Sequence, residues 1–482
     1  MPLPLADLLI TGGSVLLGDP RDGRFARADV LVRDGLIAAI GPDLEAPGAD
    51  RVDAAGAFVL PGFVDTHHHL WEASLRGLTA DWSALDFFWG VRAHHAGAHE
   101  ARDVHAGTYA GAVAALDAGI TTVLDVAHAV NTPEHAREGL RAVREAGVRA
   151  LFCYGLTTTP GAEAFTAEQR LADLRALHAN EFTSQHATTR VRLGLAVNDI
   201  GSVPWTQTRT EFHLARELGL PSTVHSRSLW GELSAPEITW LHRDGLLAAD
   251  QVHAHANAAT DEELALLAEA GAAVSSTPET ELMLGLGYPA LTRAAQLGIP
   301  TGLGTDIQAG SPADPFAWMR AALQAVRGRR HQRVLETEGS AGLGAPTPSV
   351  RDVLHHATLG GARALGLGEV TGSLEVGKAA DVLVLRTDGV HQRPVVDPVA
   401  TVVLHSRASD VDTVLVAGEV VKRAGLLLGD RADRATDLAD TTWARLTPRI
   451  NARGGLLPPR PEGVLKHMAA AGAANAPEWA RD

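Results

Sequence analysis

Cysteine is almost absent from this chain of 482 residues. Its single cysteine, Cys153, excludes an intramolecular disulfide and a cluster of thiolate metal ligands. We expect Cys153 to be a small core residue, because it lies in a short apolar run typical of a buried strand. The chain also lacks any stretch of roughly 18 consecutive apolar residues, the length that a membrane-spanning helix needs.

Basic residues are fewer than acidic residues. The 42 Lys and Arg are outnumbered by 57 Asp and Glu, which gives a net charge of −15. This balance argues against nucleic acid or an anionic membrane as a partner, because both attract basic surfaces. The first ten residues include Asp7 and no basic residue, so they do not resemble a signal peptide. We therefore expect a cytoplasmic protein.

Helices and strands alternate through the middle of the sequence. Short apolar runs such as Ile120–Leu124 and Val191–Val197 predict buried strands. Between such runs, Thr132-Pro133 and the capping box at residues 260–263 predict helix starts. The alternation predicts a parallel sheet covered by helices, which is either a closed (β/α)₈ barrel or an open, doubly wound sheet.

Polar side chains end several of these runs. His67 and His69 end the first, and because alternate residues of a strand share one face, their imidazoles point the same way. His225, His255 and Asp306 end later runs, with spacings of 30 and 51 residues between them. Imidazoles that converge at the end of a strand are typical of a transition-metal site.

The spacings also favour the closed barrel. A (β/α)₈ barrel uses roughly 30 residues for each strand–helix unit and carries its catalytic groups at the C-terminal ends of its strands. On that repeat, the five polar residues lie on strands 1, 5, 6 and 8, at one rim. Only closure of the sheet brings strands 1 and 8 together, so we predict an α/β fold with a (β/α)₈ TIM barrel.

The segments that flank the barrel follow a different pattern. Residues 1–57 and 366–430 alternate strand-like pieces with turns, which predicts one small composite β-sandwich domain built from both ends of the chain. The barrel itself is predicted at residues 58–365. Residues 431–482 form a tail, helical in composition at first and Gly/Pro-rich later, that we expect to pack on the body or on a neighbouring subunit. We expect a homo-oligomer, either a dimer or larger.

The ordered set of motifs resembles the amidohydrolase superfamily. It comprises Gly-Phe-Val-Asp-Thr-His-x-His at residues 62–69, a strand-5 histidine, His-Ala-Asn before Thr-Asp-Glu-Glu at residues 255–263, and Gly-Thr-Asp at residues 304–306. Within that superfamily the chain is similar to the branch of cytosine deaminases and triazine hydrolases. The similarity extends over nearly all of residues 1–430, including the return into the sheet domain at residues 361–381.

The resemblance implies a metal-dependent hydrolase. Carried over to this sequence, its metal ligands are His67, His69, His225 and Asp306, and its catalytic group beside the metal is His255. Asp306 would also take a proton from the attacking water and deliver it to the leaving nitrogen. The implied reaction is hydrolysis of a non-peptide C–N bond in a small molecule, with deamination of a heteroaromatic or amidine-like substrate by a metal-bound hydroxide as the leading hypothesis.

Lysine is scarce, and its placement limits the number of metal ions. Binuclear members of the superfamily bridge two metals with a carboxylated lysine on a barrel strand. The three lysines of this chain, Lys378, Lys422 and Lys466, all follow strand 8. We therefore expect one divalent ion, Zn²⁺ or alternatively Fe²⁺, because imidazole and carboxylate ligands suit both. One ion is sufficient, since it can lower the pKa of a bound water to about 7.

One position departs from the pattern of the branch. Its ring deaminases carry a glutamate three residues after the strand-5 histidine, where this chain has Ser228. A serine hydroxyl is no general acid near neutral pH, so hydrolysis of an amide, lactam or carbamate remains an alternative. A non-catalytic, metal-binding pseudoenzyme is a further alternative. Glu279 and Glu281 after strand 7 are candidate replacements for the missing acid, and surface carboxylates are an equally good interpretation of them.

Other residues near the rim are candidates for contact with the substrate. Trp71, in the long loop after strand 1, could stack on an aromatic substrate or pack that loop as core. Asp125 and His128, at the end of strand 2, could line the pocket, and Asp125 could instead hydrogen-bond the metal-binding segment. The predicted substrate-binding set is Trp71, Asp125, His128, Ser228, Glu279 and Glu281.

Overall fold

The structure is a computed structural model that describes residues 7–160, 163–183, 189–340 and 342–481. The outermost residues of the predicted domain ranges, 1–6 and 482, lie outside the described residues. The strands, in chain order, are β1 (Leu8–Leu16), β2 (Phe25–Arg33), β3 (Leu36–Gly41), β4 (Asp50–Asp53), β5 (Phe58–Pro61), β6 (Phe63–His69), β7 (Ile120–Ala127), β8 (Arg149–Gly155), β9 (Val191–Ala196), β10 (Ser222–Ser226), β11 (Gln251–His255), β12 (Ala273–Ser276), β13 (Thr301–Leu303), β14 (Asp306–Ile307), β15 (Val382–Leu385), β16 (Val411–Val416), β17 (Glu419–Arg423) and β18 (Leu426–Leu427).

The α-helices follow the same order along the chain. They are α1 (Ala84–Phe87), α2 (Ala101–Asp117), α3 (Pro133–Ala146), α4 (Ala167–Glu181), α5 (Trp205–Leu218), α6 (Glu237–Arg243), α7 (Asp261–Ala270), α8 (Pro278–Met283), α9 (Leu291–Gln296), α10 (Pro315–Glu338), α11 (Val350–His356), α12 (Leu359–Ala364), α13 (Pro398–Ala400), α14 (Arg431–Ala452) and α15 (Val464–Asn475). No helix within the described ranges is both long enough and apolar enough to cross a membrane.

Strands β6 to β13 form a closed, parallel barrel. Each pairs with the next in chain order, and β13 pairs back with β6 through Leu303 and Asp65. The two-residue strand β14 also pairs with β6, beside His68 and His69. Helices follow the strands, so the predicted (β/α)₈ TIM barrel is confirmed and the open sheet is excluded.

Local sequence signals explain where the barrel helices begin and end. Helix α3 starts after Thr132 with Pro133 at its first position and ends at Gly147, whose φ of +85° suits a residue without a side chain. Helix α7 starts at the capping box between Thr260 and Glu263. These signals set the register of each helix, and burial of the apolar strands between them supplies most of the stability.

The two ends of the chain build one small sheet domain. Strands β18, β17, β16, β15, β5, β1, β2 and β3 lie in this order in one hydrogen-bonded sheet, and β4 pairs with β1. A separate cluster of buried side chains, including Ile10, Val30, Val382 and Leu415, forms its core. Because β5 pairs with both β1 and β15, the sheet extends to Pro61, past the predicted boundary after residue 57.

The tail packs on the body of its own chain. Helix α14 lies on α2 with Leu446 and Ile450 buried. The following segment contacts the loop after β6, where Nε1 of Trp89 donates a hydrogen bond to the carbonyl of Pro458 at 3.1 Å. Helix α15 follows, in a region whose Gly/Pro-rich composition predicts irregular structure.

Candidate metal centre and active site

Five polar side chains converge at the C-terminal mouth of the barrel. His67 and His69 come from β6, His225 from β10, His255 from β11 and Asp306 from the start of β14, just after β13. The Oδ1 atom of Asp306 lies 3.2 Å from Nε2 of His67 and 3.4 Å from Nε2 of His69. The imidazole centroid of His67 lies 4.9 Å from those of both His69 and His225. The structure therefore brings together all five residues that the spacing placed on one rim.

Unusual backbone conformations aim two of these side chains. His255 has φ +72° and Asp306 has φ +66°. This left-handed conformation costs a residue with a Cβ roughly 1–2 kcal/mol, and such strain is found most often at functional sites. Nearby, a Cβ on Gly304 would lie 2.7 Å from the carbonyl oxygen of His67, so the first residue of the Gly-Thr-Asp motif has to be glycine.

Asp65 ties the first barrel strand to the segment that carries Asp306. Its Oδ2 accepts a hydrogen bond from Oγ1 of Thr305 at 2.7 Å and lies 2.9 Å from Nδ1 of His68. Asp65 is fully buried, so its carboxylate depends on these partners for its polar contacts. The aspartate of the Asp-Thr-His-x-His motif therefore links strand β6 to the segment that carries Asp306.

The donor set fits a divalent metal ion. Burial lowers the pKa of His67, His69 and His225 to about 4, so all three imidazoles are neutral at pH 7, as metal ligation requires. Burial alone would raise the pKa of Asp306, but hydrogen bonds from His67 and His69 and the charge of His255 hold it well below its usual range. Apart from the contact of Nε2 with Asp306, the ring nitrogens of His67 have no hydrogen-bond partner among the described residues, which leaves the ring free to ligate.

A hydrogen-bonded chain that sequence reasoning missed orients His225. Its Nδ1 lies 2.8 Å from Oδ1 of Asp199, and Nη1 of Arg92 lies 2.5 Å from Oδ2 of the same carboxylate. Burial would raise the pKa of Asp199, but the charges of Arg92 and His225 lower it instead. With Nδ1–H donated to Asp199, the Nε2 atom of His225 is available to a metal. Asp199 lies three residues after the end of β9, so a search of the residues that follow each strand could have found it.

Glu281 supports His255 from the side remote from Asp306. Its Oε1 lies 3.4 Å from Nδ1 of His255 and accepts a hydrogen bond from the backbone N–H of Thr277 at 2.9 Å. Burial lowers the pKa of His255, but Glu281 and the charge of Asp306 outweigh it, so the pKa is raised. Nε2 of His255 then faces Oδ2 of Asp306 at 4.0 Å. Glu281 is fully buried and is therefore not the surface carboxylate of the alternative interpretation.

Glu279 lies on the other side of α8, towards the start of α10. Burial and the charge of Asp314 raise its pKa to about 7, and Arg320 opposes them. Both candidate replacements for the missing acid thus lie on the β12 side of the rim, whereas Ser228 follows β10.

Three further predicted residues lie in or beside the loop after β6. Nδ1 of His128 is 2.9 Å from Nδ1 of His69, so His128 contacts a candidate ligand directly. Trp71 is 1% exposed, and its ring packs against His128 with a centroid distance of 5.1 Å. Oδ1 of Asp125 accepts a hydrogen bond from the N–H of Leu70 at 3.2 Å, and burial raises its pKa to about 7. These contacts fit loop packing for Trp71 and support of the metal-binding segment for Asp125.

A cavity of about 580 Å³ opens beside the cluster, a volume that suits a small-molecule substrate. Its polar lining near the histidines consists of Asp199, His225, Ser228 and Glu237, and its apolar lining includes Phe88, Leu229, Trp240, Met468, Gly472 and Ala473. Helix α15 closes one side of this cavity, where Nδ2 of Asn475 donates a hydrogen bond to the carbonyl of Gly201 at 2.9 Å. The tail therefore forms part of the pocket wall, which no motif in the sequence indicates.

Comparisons with known proteins agree with this arrangement. A profile described as "Amidohydrolase family" matches residues 58–421. The 5-methylthioadenosine/S-adenosylhomocysteine deaminase of Natronomonas pharaonis is 31% identical over 435 residues, which cover 86% of this chain and 93% of the relative. The 5'-deoxyadenosine deaminase of Methanothermobacter thermautotrophicus is 29% identical over 459 residues, which cover 91% and 99%.

Solved structures show the same fold. An adenosine deaminase from Xanthomonas campestris with bound zinc superposes with a TM-score of 0.77 at 23% identity, over 92% of this chain and 99% of that one. The atrazine chlorohydrolase of Arthrobacter aurescens complexed with zinc superposes with a TM-score of 0.75 at 23% identity, over 91% and 100%.

Proposed function

Because the chain belongs to the amidohydrolase family and is a hydrolase of carbon–nitrogen bonds other than peptide bonds, we propose that it deaminates a small heteroaromatic or amidine-like substrate at the rim cluster. The observation that carries this proposal is the convergence of three neutral imidazoles and an ionised carboxylate beside a cavity of about 580 Å³. The names of the curated relatives, which are deaminases of adenosine derivatives, support the same reaction class.

We assign the metal site to His67, His69, His225 and Asp306. Zinc in two related structures supports a metal cofactor, and we propose one ion per chain, Zn²⁺ with Fe²⁺ as the alternative. A lysine-bridged second ion is disfavoured, because all three lysines follow the barrel strands in the sequence. When bound, such an ion would lower the pKa of water to about 7 and so provide a nucleophile at neutral pH.

The protein side chains then move the protons. Asp306 is ionised and can accept a proton from the attacking water, then deliver it to the leaving amine. His255 is held at Nδ1 by Glu281, and its protonated form, which the raised pKa favours, directs an Nε2–H to the reacting centre, where it can polarise the substrate. The apolar wall formed with α15 suits a substrate that carries an apolar substituent away from the amine.

Cleavage of an amide, lactam or carbamate is the second candidate, and Ser228 favours it. Ser228 lines the cavity beside His225, where ring deaminases of this branch have a carboxylic acid. A carbonyl substrate needs no protonation of a ring nitrogen, so the same ligands would serve it.

We further propose that the protein is cytoplasmic and assembles as a homo-oligomer, a dimer or larger. Its acidic net charge of −15 suits a protein that binds neither nucleic acid nor anionic membranes. Leu456, Leu457 and Leu465 of the tail are 43–46% exposed and supply apolar surface for contact between subunits.

Turnover of a compound panel tests the proposed reaction. Zinc-loaded protein is expected to release ammonia from at least one of 5'-methylthioadenosine, cytosine and melamine, measured by coupled spectrophotometry. Release of product from a lactam such as 2-pyrrolidinone, with no ammonia from the amines, would favour the second candidate. Metal-loaded protein that turns over neither class would be a pseudoenzyme.

Introducing a glutamate at position 228 tests how the pocket is organised. Ser228→Glu is expected to lower kcat/KM on the best panel substrate roughly tenfold, equivalent to about 1.4 kcal/mol. A new carboxyl without a partner at this half-buried position carries a raised pKa and a desolvation cost. Ser228→Ala is the matched control and should retain activity. A large gain in deamination with glutamate would show instead that the native site is a ring deaminase impaired by the serine.

A further inference from the structure

The carboxyl group of Glu237 reaches the chain segment that carries Ser228. Glu237 is the first residue of α6, and its Oε2 accepts a hydrogen bond from the backbone N–H of Arg227 at 2.6 Å. The carboxyl therefore lies beside the peptide segment immediately before Ser228. Arg227 has φ +50°, a left-handed conformation that this hydrogen bond helps to hold.

The other oxygen of this carboxyl is available to the cavity. Glu237 is only 9% exposed, and it lines the cavity together with His225, Asp199 and Ser228. Within the described ranges, the hydrogen bond that this carboxyl accepts is the one from Arg227 to Oε2. One oxygen is thus anchored to the backbone, while the other belongs to a side chain that lines the same cavity as the candidate metal ligand His225.

The charges around Glu237 favour its protonated form. The guanidinium of Arg227 has other partners, with Nε 2.7 Å from Oε2 of Glu263 and Nη1 2.7 Å from Oγ of Ser234. Glu263 on α7 therefore neutralises this cation, and Asp199 on the β9 side adds a further negative charge. Burial first, then Asp199 and Glu263, raise the pKa of Glu237 to about 8 against the opposing effects of Arg227. Glu237 is therefore a neutral carboxylic acid at pH 7.

We propose that Glu237 is the catalytic acid that protonates the ring nitrogen of the substrate, in place of the glutamate that related ring deaminases carry at the position of Ser228. This assignment rests on the proposed deamination. It narrows the substrate class to compounds in which the carbon bearing the amine is double-bonded to a ring nitrogen. The small serine leaves room for a carboxyl that arrives from α6 instead of from β10.

The proton transfers balance over one turnover. The oxygen of water bonds to the carbon that bears the amine, the C=N electron pair moves to the ring nitrogen, and that nitrogen takes the proton of Glu237. Asp306 accepts one proton of the water and passes it to the amine, which leaves as ammonia when the C–N bond breaks. The remaining hydroxyl proton returns to Glu237 as the C=O bond forms, so both carboxyl groups are restored.

Glu237→Gln tests the assignment, because glutamine keeps an oxygen that can accept the N–H of Arg227. We expect kcat for ammonia release from the best panel amine to fall by roughly 10²–10⁴-fold, with the metal content and melting temperature unchanged. In the wild type, kcat should decline as the pH rises past about 8, the pKa of Glu237. A merely structural carboxyl would predict neither the loss nor this decline.

Two further measurements separate the possible outcomes. The infrared difference spectrum of wild type minus Glu237→Gln should show the carbonyl band of a protonated acid at pH 7, without any substrate. The double variant Glu237→Gln/Ser228→Glu, which moves the carboxyl to the position used in relatives, should recover at least tenfold over Glu237→Gln. Glu217→Gln, on the outer face of α5, is the control and should behave as wild type.

If the wild type releases ammonia and the Glu237→Gln variant keeps full activity, the role of Glu237 is overturned and the proposed function stands. Absence of the protonated band at pH 7 would also overturn it. A wild type that releases no ammonia from any amine would remove the proposed function, and the assignment of Glu237 with it.

Discussion

Asp306→Asn is expected to reduce ammonia release by roughly 10⁴-fold or more, because an amide cannot accept the proton of the attacking water. The carboxylate is ionised in the folded protein and lies 3.2 Å from His67 and 3.4 Å from His69, at the centre of the cluster. Asparagine is nearly isosteric, so circular dichroism and the melting curve should show an intact fold. Initial rates at saturating metal measure the loss. Residual activity above a few per cent would assign the base to another residue.

His255→Ala provides the comparison for this variant. It should lower the rate by roughly 10²–10³-fold and leave the metal bound, since His255 is assigned a role in catalysis and not in ligation. His255 also lies close enough to His67 and His225 to share a metal with them. Loss of the metal from His255→Ala would therefore make it a ligand and require a different division of roles.

His67→Ala and His225→Ala are each expected to remove the metal. Elemental analysis of purified wild type should give close to one divalent ion per chain, and these variants close to none, because each loses one of four ligands. Asp199→Asn should weaken metal affinity by about 10–100-fold, since Asp199 only orients His225. Competition with a chelator of known affinity measures this difference.

His253→Ala is the matched control for loss of the metal. His253 lies on the same strand as His255, but its Nδ1 contacts Oγ of Ser226 at 2.8 Å, outside the cluster. The variant should therefore keep one metal ion. Two ions per chain in the wild type would contradict the assignment of a single metal.

The fold and the principal residues of the site are predictable from local sequence. His67, His69, His225, His255 and Asp306 each end an apolar run, and the parallel strands of a closed barrel all end at one rim. Residue type and spacing are then sufficient to place them together. Asp199 follows the end of β9 and was predictable in principle from a search of the residues after each strand.

Side-chain direction was not predictable in this way. Trp71, Glu279 and Glu281 lie in loops or short helices near the rim, where spacing does not predict which way a side chain points. In the structure, Trp71 packs against His128, Glu279 lies towards α10, and Glu281 contacts Nδ1 of His255. Arg92 is 107 residues from its partner Asp199, and no local pattern couples them.

The sequence by itself determined the barrel and the set of polar residues that meet at its rim, because periodic apolar runs and strand ends are local properties that repeat along the chain. Only the tertiary structure decided which carboxyl groups face the pocket and what closes it. Glu237 reaches the segment before Ser228 because α6 begins beside β10, and α15 becomes a pocket wall because its residues pack on Gly201. Both depend on contacts between distant segments, whose geometry is set by packing and not by residue type.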